Sequence, residues 1–174
     1  MYISFLKGIN VGGHHKVDMK DLKKIYEQAG YSNVMTYLNT GNVIFDSDDN
    51  RDLIGKIKSL ISEKYDFDIS VMVLTEADLV ELVASYQFEI DEKKNRYVTL
   101  FSNQVNEKLE NMILLSKRES DQFQIHETHL NLYVPEGYGK SKLTNSFIEK
   151  HSGVSCTTRN MNTMEKLLSI IDKG

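Results

Sequence analysis

The sequence predicts an α+β fold built from two ferredoxin-like halves, each with a mixed or antiparallel sheet and helices packed against one face. Strand and helix patterns alternate in the order βαββαβ in the first half and βαββα in the second. In each half, two apolar strand patterns flank a short polar turn, which is typical of an antiparallel hairpin.

The first half opens with an apolar strand pattern at Tyr2–Leu6. Apolar residues then recur at helical spacing between Met19 and Ala29. Asp18 is the expected N-cap of this helix, and Gly30 is expected to end it. These signals predict a strand followed by an amphipathic helix.

A hairpin is predicted next, with strands at residues 34–38 and 43–46 around an Asn-Thr-Gly-Asn turn. Apolar residues on one helical face between Leu53 and Ile61 predict a second helix. The apolar run at residues 69–74 predicts a strand, and Thr75 is the expected cap of a short third helix.

The second half repeats this order with different residues. Residues 97–101 predict a strand, and Leu109, Met112 and Ile113 indicate a helix. Strand patterns at residues 123–126 and 130–134 predict a second hairpin. Helices are expected at residues 141–151 and 163–171.

The composition indicates a globular chain. Its 174 residues are 40% hydrophobic, enough to bury a core, and the polar stretch at residues 89–95 is expected to cross the surface. We therefore predict a first half at residues 1–88 and a second at residues 89–174, joined in one compact unit. The formal charge of −4 argues against extensive coating of nucleic acid.

Cysteine usage and the chain start indicate a cytoplasmic protein. Cys156 is the single cysteine and cannot form an internal disulfide, and the first residues enter a strand pattern without a signal peptide. No apolar run approaches the ~20 residues that span a bilayer, so no membrane association is expected.

A glycine-rich loop at residues 8–16 is the first candidate site. It joins a strand to a helix, where backbone N–H groups can face an anion, and lysines stand at both ends. A purely structural turn is the alternative, since its glycines do not match the dinucleotide-binding spacing. The candidate ligand-binding residues here are Lys7, Asn10, Gly12, Gly13 and Lys16.

A second candidate is the segment at residues 135–144. Its Gly-Lys-Ser is not a P-loop, because position 134 is valine where that motif needs glycine. A helix beginning near Ser141 would still present free N–H groups and two lysines to an anion. Ser141 as an ordinary N-cap is the alternative. The candidates are Gly139, Lys140, Ser141 and Lys142.

The third candidate is the segment at residues 157–163. Its hydroxyls and amides are typical of helix caps, but the fork of donors on Arg159 suits a phosphate or carboxylate. A solvated or ion-paired Arg159 is the alternative. Asn160 and the hairpin residue Asn39 are further binding candidates, although asparagine also favours turns for backbone reasons.

We expect these segments to border one cleft. Catalytic residues and cofactors cannot be assigned, because Cys156 has no neighbour that marks it as a nucleophile. No metal site is predicted, since His14 and His15 and the pair His126 and His129 lack the partners of a zinc site.

Taken together, four segments resemble an uncharacterised bacterial family, domain of unknown function 1697. They are Lys-Gly-Ile-Asn-Val-Gly-Gly at residues 7–13, a Thr-Tyr…Gly-Asn-Val-Ile-Phe hairpin at 36–45, Tyr-Val-Pro…Lys-Leu-Thr at 133–144, and Thr-Thr-Arg-Asn-Met-Asn-Thr at 157–163. The resemblance spans essentially the whole chain and implies two ferredoxin-like α+β halves, but no activity. Lys7 stands where the family commonly has arginine and Met161 where it commonly has tryptophan, which removes a planar fork and a stacking surface.

The leading hypothesis is a cleft for a small phosphorylated or carboxylated ligand. A nucleic-acid-binding module is the second hypothesis, because sheets of this type can stack bases on aromatic residues and the chain has nine tyrosines. No RNP-like strand is present to support it. A homodimeric scaffold without a ligand is the third.

Overall fold

The computed structural model describes residues 1–90 and 94–173, so residues 91–93 of the predicted polar crossing lie outside the described residues. The chain forms two compact units, Met1–Leu79 and Val80–Gly174. Each unit contains a four-stranded sheet whose neighbouring strands are all antiparallel. The prediction of an α+β fold in two similar halves is confirmed.

The first unit follows the predicted order. Its elements are β1 (Tyr2–Leu6), α1 (Met19–Gln28), β2 (Ser32–Tyr37), β3 (Asn42–Asp46), α2 (Leu53–Tyr65), β4 (Val71–Thr75) and the first turn of α3 (Glu76–Ala84). The strand order is β2-β3-β1-β4, so β1 lies between two strands that come later in the sequence.

Side-chain caps define two helix starts in this unit, as predicted. The carboxylate of Asp18 accepts hydrogen bonds from the N–H groups of Lys20 and Asp21 at the start of α1. At the start of α3, the Thr75 hydroxyl accepts from the N–H of Asp78, whose carboxylate in turn accepts from the N–H of Thr75.

The core of the first unit lies between its sheet and helices α1 and α2. Leu6 and Phe45 of the sheet are fully buried with Tyr26 of α1 and Ile57 of α2. The Tyr26 hydroxyl lies 2.8 Å from the Ser4 hydroxyl, which satisfies both buried polar groups.

The second unit repeats the arrangement. Its elements are β5 (Arg96–Phe101), α4 (Lys108–Ser116), β6 (Gln122–Ile125), β7 (His129–Tyr133), a 3₁₀ turn (Tyr138–Lys140), α5 (Asn145–Ser152), β8 (Cys156–Asn160) and α6 (Met161–Ile171). The strand order β6-β7-β5-β8 matches that of the first sheet, with β8 in the position of β4.

The helix predicted from Ser141 begins instead at Asn145. Thr144 is its N-cap and accepts a hydrogen bond from the N–H of Phe147. Ser141 is buried, and its hydroxyl accepts from the N–H of Leu143 in the turn before the helix. The prediction of free helical N–H groups beside Ser141 is therefore wrong.

Strand β8 was not predicted, because its Cys-Thr-Thr-Arg-Asn sequence has no apolar alternation. It pairs with β5, and α6 begins directly after it at Met161, two residues before the predicted start. Tyr97 and Phe101 of β5 pack in one cluster with Ile148 of α5, whereas Arg96, which faces the other side of the strand, forms an ion pair of 2.9 Å with Glu165 of α6. Helix α6 therefore lies on the opposite face of this sheet from α5. Helices thus cover both faces here, and not one as expected.

Candidate functional site

The loop at residues 8–16 has a backbone that requires glycine at several positions. The φ angles of Gly8, Gly12 and Gly13 are +72°, +59° and +80°, in the left-handed region that side chains disfavour. The loop folds back on itself: the N–H of His14 donates to Val11 O (3.1 Å). These φ angles and this hydrogen bond give the loop a compact shape.

Asn10 anchors this loop to two other elements. Its Nδ2 donates to the carbonyl oxygens of Val17 and Asn39, and its Oδ1 accepts from the N–H of Val17, all at 2.9 Å. The side chain of the candidate residue Asn10 therefore forms its hydrogen bonds with backbone groups, one of which is the carbonyl oxygen of Asn39. These bonds fix the loop against the start of α1 and against the β2–β3 hairpin turn.

An open groove of about 810 Å³ runs beside the anchored loop, within the first unit. It is lined by loop residues, the start of α1, the hairpin turn and the end of α2: Asn10, Gly13, Lys16, Val17, Asp18, Met19, Lys20, Asp21, Asn39 and Tyr65. Of the sequence candidates, Asn10, Gly13 and Lys16 of the loop therefore line this groove together with Asn39 of the hairpin turn. Gly12 directly precedes the lining residue Gly13.

The loop end of this groove offers hydrogen-bond donors. Within residues 1–90 and 94–173, the N–H groups of Gly12 and Gly13 donate to no protein acceptor, and Lys16 is exposed. The start of α1 differs, because Asp18 already accepts from its first N–H groups and adds negative charge. Asp21 lies there too and pairs with Lys24 at 3.6 Å. The start of α1 thus lines the groove with Lys20 and two carboxylates, whereas the loop contributes Lys16 and no carboxylate.

Tyr65, at the end of α2, is a groove residue that sequence reasoning missed. Its hydroxyl is buried and has no hydrogen-bond partner among the described residues. Burial, and secondarily the negative charges of Asp21 and Asp18, raise the pKa of Tyr65, so the hydroxyl stays protonated. Its ring stacks on Phe67, which also stacks on His15 of the loop. No pattern in the sequence around Tyr65 predicts that its side chain lines this groove.

Lys7 belongs to the first unit as well. It follows β1, and its backbone N–H donates to Ser70 O at 2.9 Å beside the start of β4. It is half-buried and is not among the residues that line the groove.

The second unit brings the segment at residues 135–144 onto β8. The Tyr138 hydroxyl donates to Thr158 Oγ1 at 3.1 Å, and Thr158 in turn donates to Asn145 Oδ1 at 2.6 Å. Lys140 and Lys142 are exposed beyond this contact. Two of the sequence segments therefore meet, through side chains that were not candidates.

Arg159 points to the other face of β8, because alternate residues of a strand face opposite sides. Its Nη1 donates to Thr157 Oγ1 (2.8 Å) and Thr158 O (3.0 Å). Burial lowers the pKa of Arg159 to about 10, so it remains cationic at neutral pH. Asn160 is the N-cap of α6 and accepts from the N–H of Asn162. The convergence of these residues with the loop of the first unit stays a prediction.

The chain belongs to the family described as protein of unknown function DUF1697, whose model matches residues 1–131. Among solved structures it is similar to a conserved bacterial protein from Streptococcus pneumoniae, with a TM-score of 0.75 and 21% identity over 97% of this chain and 96% of that chain. This likeness concerns the fold. No curated protein matches the chain. In the described residues, no helix combines the length and the apolar character needed to cross a membrane.

Proposed function

We propose that the first unit binds a small molecule carrying a phosphate or carboxylate group, in the groove beside residues 8–16. The observation that carries the proposal is the pair of N–H groups at Gly12 and Gly13, which have no protein acceptor within the described residues, next to the exposed Lys16. Successive backbone N–H groups in a turn form a concave anion site, and a nearby ammonium adds charge-assisted hydrogen bonds.

The size of the groove supports a small-molecule ligand. Its volume of about 810 Å³ lies within the range of roughly 300–1,000 Å³ that is usual for ligand sites. Tyr65 supplies an aromatic wall, and Met19 and Val17 supply apolar surface. A ligand with an anionic group and a larger, less polar body suits this lining.

The distribution of charge along the groove favours the loop as the position of the anionic group. At the start of α1, Asp18 occupies the helical N–H groups, and its carboxylate repels an anion. At the other end, Gly12, Gly13 and Lys16 present donors without a carboxylate cap. The anion is therefore held by the loop backbone and not by the helix dipole.

The proposal is tested by titrating the ¹⁵N-labelled protein with inorganic phosphate and, separately, with acetate. Saturable shifts are expected at the amides of Gly12, Gly13 and Lys16. Lys16→Ala removes one charge-assisted hydrogen bond, worth about 1.5–3 kcal/mol, and should weaken phosphate binding roughly ten- to a hundredfold. Lys58→Ala is the matched control, an exposed lysine on α2 that does not line the groove. Equal affinities of the two variants would contradict the proposal.

Substitutions of Gly8 and Gly13 distinguish a loss of phosphate binding from the effect of backbone strain. Gly8 and Gly13 both have positive φ, and a Cβ at either position would meet no atom within 4 Å. Alanine therefore brings similar strain to both, but only Gly13 lines the groove. Gly13→Ala is expected to weaken phosphate binding more than Gly8→Ala, and the reverse order would count against the assigned position of the anion.

A further inference from the structure

Four polar side chains of the second unit form a closed cluster, here called the histidine cluster: Ser85, His126, His129 and Asn131. Ser85 follows α3, whereas the other three belong to the β6–β7 hairpin. The two imidazole rings stack at 4.4 Å with an interplanar angle of 15°. Asn131 is fully buried and His129 is 6% exposed. The cluster joins the end of a helix to the tip of a hairpin.

The Asn131 amide acts only as a donor in this cluster. Its Nδ2 lies 3.2 Å from Ser85 O, 3.1 Å from Ser85 Oγ and 3.2 Å from His126 Nε2. Its buried Oδ1 has no hydrogen-bond partner among the described residues. The hydrogen bond to His126 exists only while His126 Nε2 carries a lone pair, which assigns a neutral ring to His126.

His129 is neutral in the same network. The Ser85 hydroxyl donates to Leu82 O at 2.7 Å, so it accepts from His129 Nε2 at 2.9 Å. His129 Nδ1 is then the acceptor for the Thr128 hydroxyl at 3.1 Å. Burial lowers the pKa of both rings, that of His129 to about 4, and His126 adds a repulsive contribution at His129.

The groups around His129 do not offset the positive charge that it would gain once His126 is protonated. From β5, the residue opposite His129 is the apolar Leu100. Glu107 at the N-cap of α4, Glu110 of α4 and Glu127 of the turn line one groove with His126. Directly after α3 come Ser85 and Tyr86, and burial raises the pKa of Tyr86. A positive charge on His126 lowers the pKa of His129, so His126 is the first ring to take up a proton.

We propose that the histidine cluster is a pH-sensitive clasp, which ties the tip of the β6–β7 hairpin to the end of α3 at neutral pH and releases it on acidification. A proton on His126 Nε2 removes the acceptor of one Asn131 hydrogen bond. The amide must then turn its free Oδ1 toward His126, and Nδ2 leaves Ser85. A proton on His129 Nδ1 reverses its hydrogen bond with Thr128, whose hydroxyl then accepts, and places two stacked cations together.

The release is local. The Tyr86 hydroxyl donates to Leu132 O at 2.8 Å, and it keeps its proton throughout the acidic range. The base of the hairpin therefore stays attached while its tip loosens. The tip also forms one wall of the groove of about 450 Å³ that reaches α4, so acidification reshapes this groove.

The direction of the pH dependence follows from linkage. The closed cluster lowers the pKa of its histidines, so its stability is complete above the ordinary histidine pKa of about 6.5 and declines as the pH falls toward 4. For His129 alone, the opening equilibrium should rise on the order of 50- to 100-fold between pH 7.5 and 4.5.

Hydrogen exchange monitored by NMR on the full chain tests the clasp. The N–H groups of Ser85, His126 and Phe101 are the reporters, because they donate to Glu81 O, His129 O and Thr128 O. The hydrogen-exchange protection of these three N–H groups should fall on the order of 50- to 100-fold between pH 7.5 and 4.5. The amides of Ile57 and Ile61 in α2 should keep theirs. Equal losses in α2, or no loss at the reporters, would overturn the proposal.

A double variant isolates the two rings. In His126→Gln with His129→Gln, the glutamine amides can accept from Asn131 and donate to Ser85 without titrating. Protection at the Ser85 amide should then be independent of pH, whereas His14→Gln, on an exposed loop of the first unit, should behave like the unchanged protein. A pH response that persists in the double variant contradicts the clasp.

A measurement on the unchanged protein covers the case in which the double variant does not fold. The ring protons of His126 and His129 are titrated together with the Ser85 amide. The Ser85 resonance should shift with the same midpoints as the rings. Rings that titrate near 6.5, or a Ser85 amide that does not follow them, would refute the clasp.

Discussion

Replacing Asn10 by alanine should destabilise the first unit by about 4 kcal/mol. The substitution removes three hydrogen bonds of 2.9 Å, two of them to the backbone of the buried Val17. Each such bond contributes roughly 0.5–1.5 kcal/mol net. The φ angle of +55° at Asn10 adds about 1 kcal/mol, because asparagine tolerates the left-handed region better than alanine does.

Asn10→Gly separates the two contributions. Glycine loses the same three hydrogen bonds but adopts positive φ without steric strain, so this variant should be about 1 kcal/mol more stable than Asn10→Ala. Urea denaturation followed by circular dichroism and tyrosine fluorescence measures both, since the chain has no tryptophan. The Val17 amide should also lose hydrogen-exchange protection in both variants.

Two results would refute this reasoning. A loss below about 0.5 kcal/mol in Asn10→Ala would mean that the side chain does not fix the loop. An alanine variant as stable as the glycine variant would mean that the left-handed backbone carries no strain. Either outcome would leave the shape of the groove unexplained.

Two further substitutions test the packing of the first unit. Tyr26→Phe leaves the Ser4 hydroxyl buried without its 2.8 Å partner and should cost about 1–3 kcal/mol, whereas the double variant with Ser4→Ala should recover part of that loss. Gly41→Ala should cost more than Gly30→Ala in thermal and urea denaturation. Both have positive φ, but a Cβ at Gly41 would lie 2.7 Å from Leu6 Cβ, and one at Gly30 would meet nothing within 4 Å.

The parts of the fold that depend on local chemistry could be predicted from the sequence. The caps at Asp18 and Thr75 are made by residues two or three positions away, and they occur as predicted. Both hairpin turns follow from short polar runs between apolar ones. Such signals are contained in a few consecutive residues, so a single sequence carries them.

Elements that depend on distant partners were missed. Strand β8 forms because β5 offers an edge about sixty residues earlier, with Thr158 opposite Thr99 and their hydroxyls 2.7 Å apart. Its own residues do not alternate in polarity, and the first two are buried whereas the last three are half-buried. Ser141 illustrates the same limit, since a cap at Thr144 outcompeted it for the helix start and left it in the preceding turn.

The candidate site was predictable in composition but not in the roles of its residues. Glycines and a lysine before a helix suggested an anion site, and they do lie beside a groove. The function of Asn10 depends on Asn39, 29 positions away, and no local pattern shows that its amide holds two loops together. Tyr65 enters the groove only because α2 ends there.

The residues of the glycine-rich loop divide by what the fold requires of them. The side chain of Asn10 has a structural role, because both of its polar atoms form hydrogen bonds with backbone groups. Gly12 and Gly13 allow the positive φ angles of the loop. In the described part of the chain, their N–H groups donate to no protein acceptor, and the side chain of Lys16 forms no hydrogen bond or ion pair. Under the proposed function, Gly12, Gly13 and Lys16 hold the anion, and the hydrogen bonds of Asn10 keep the loop in position for it.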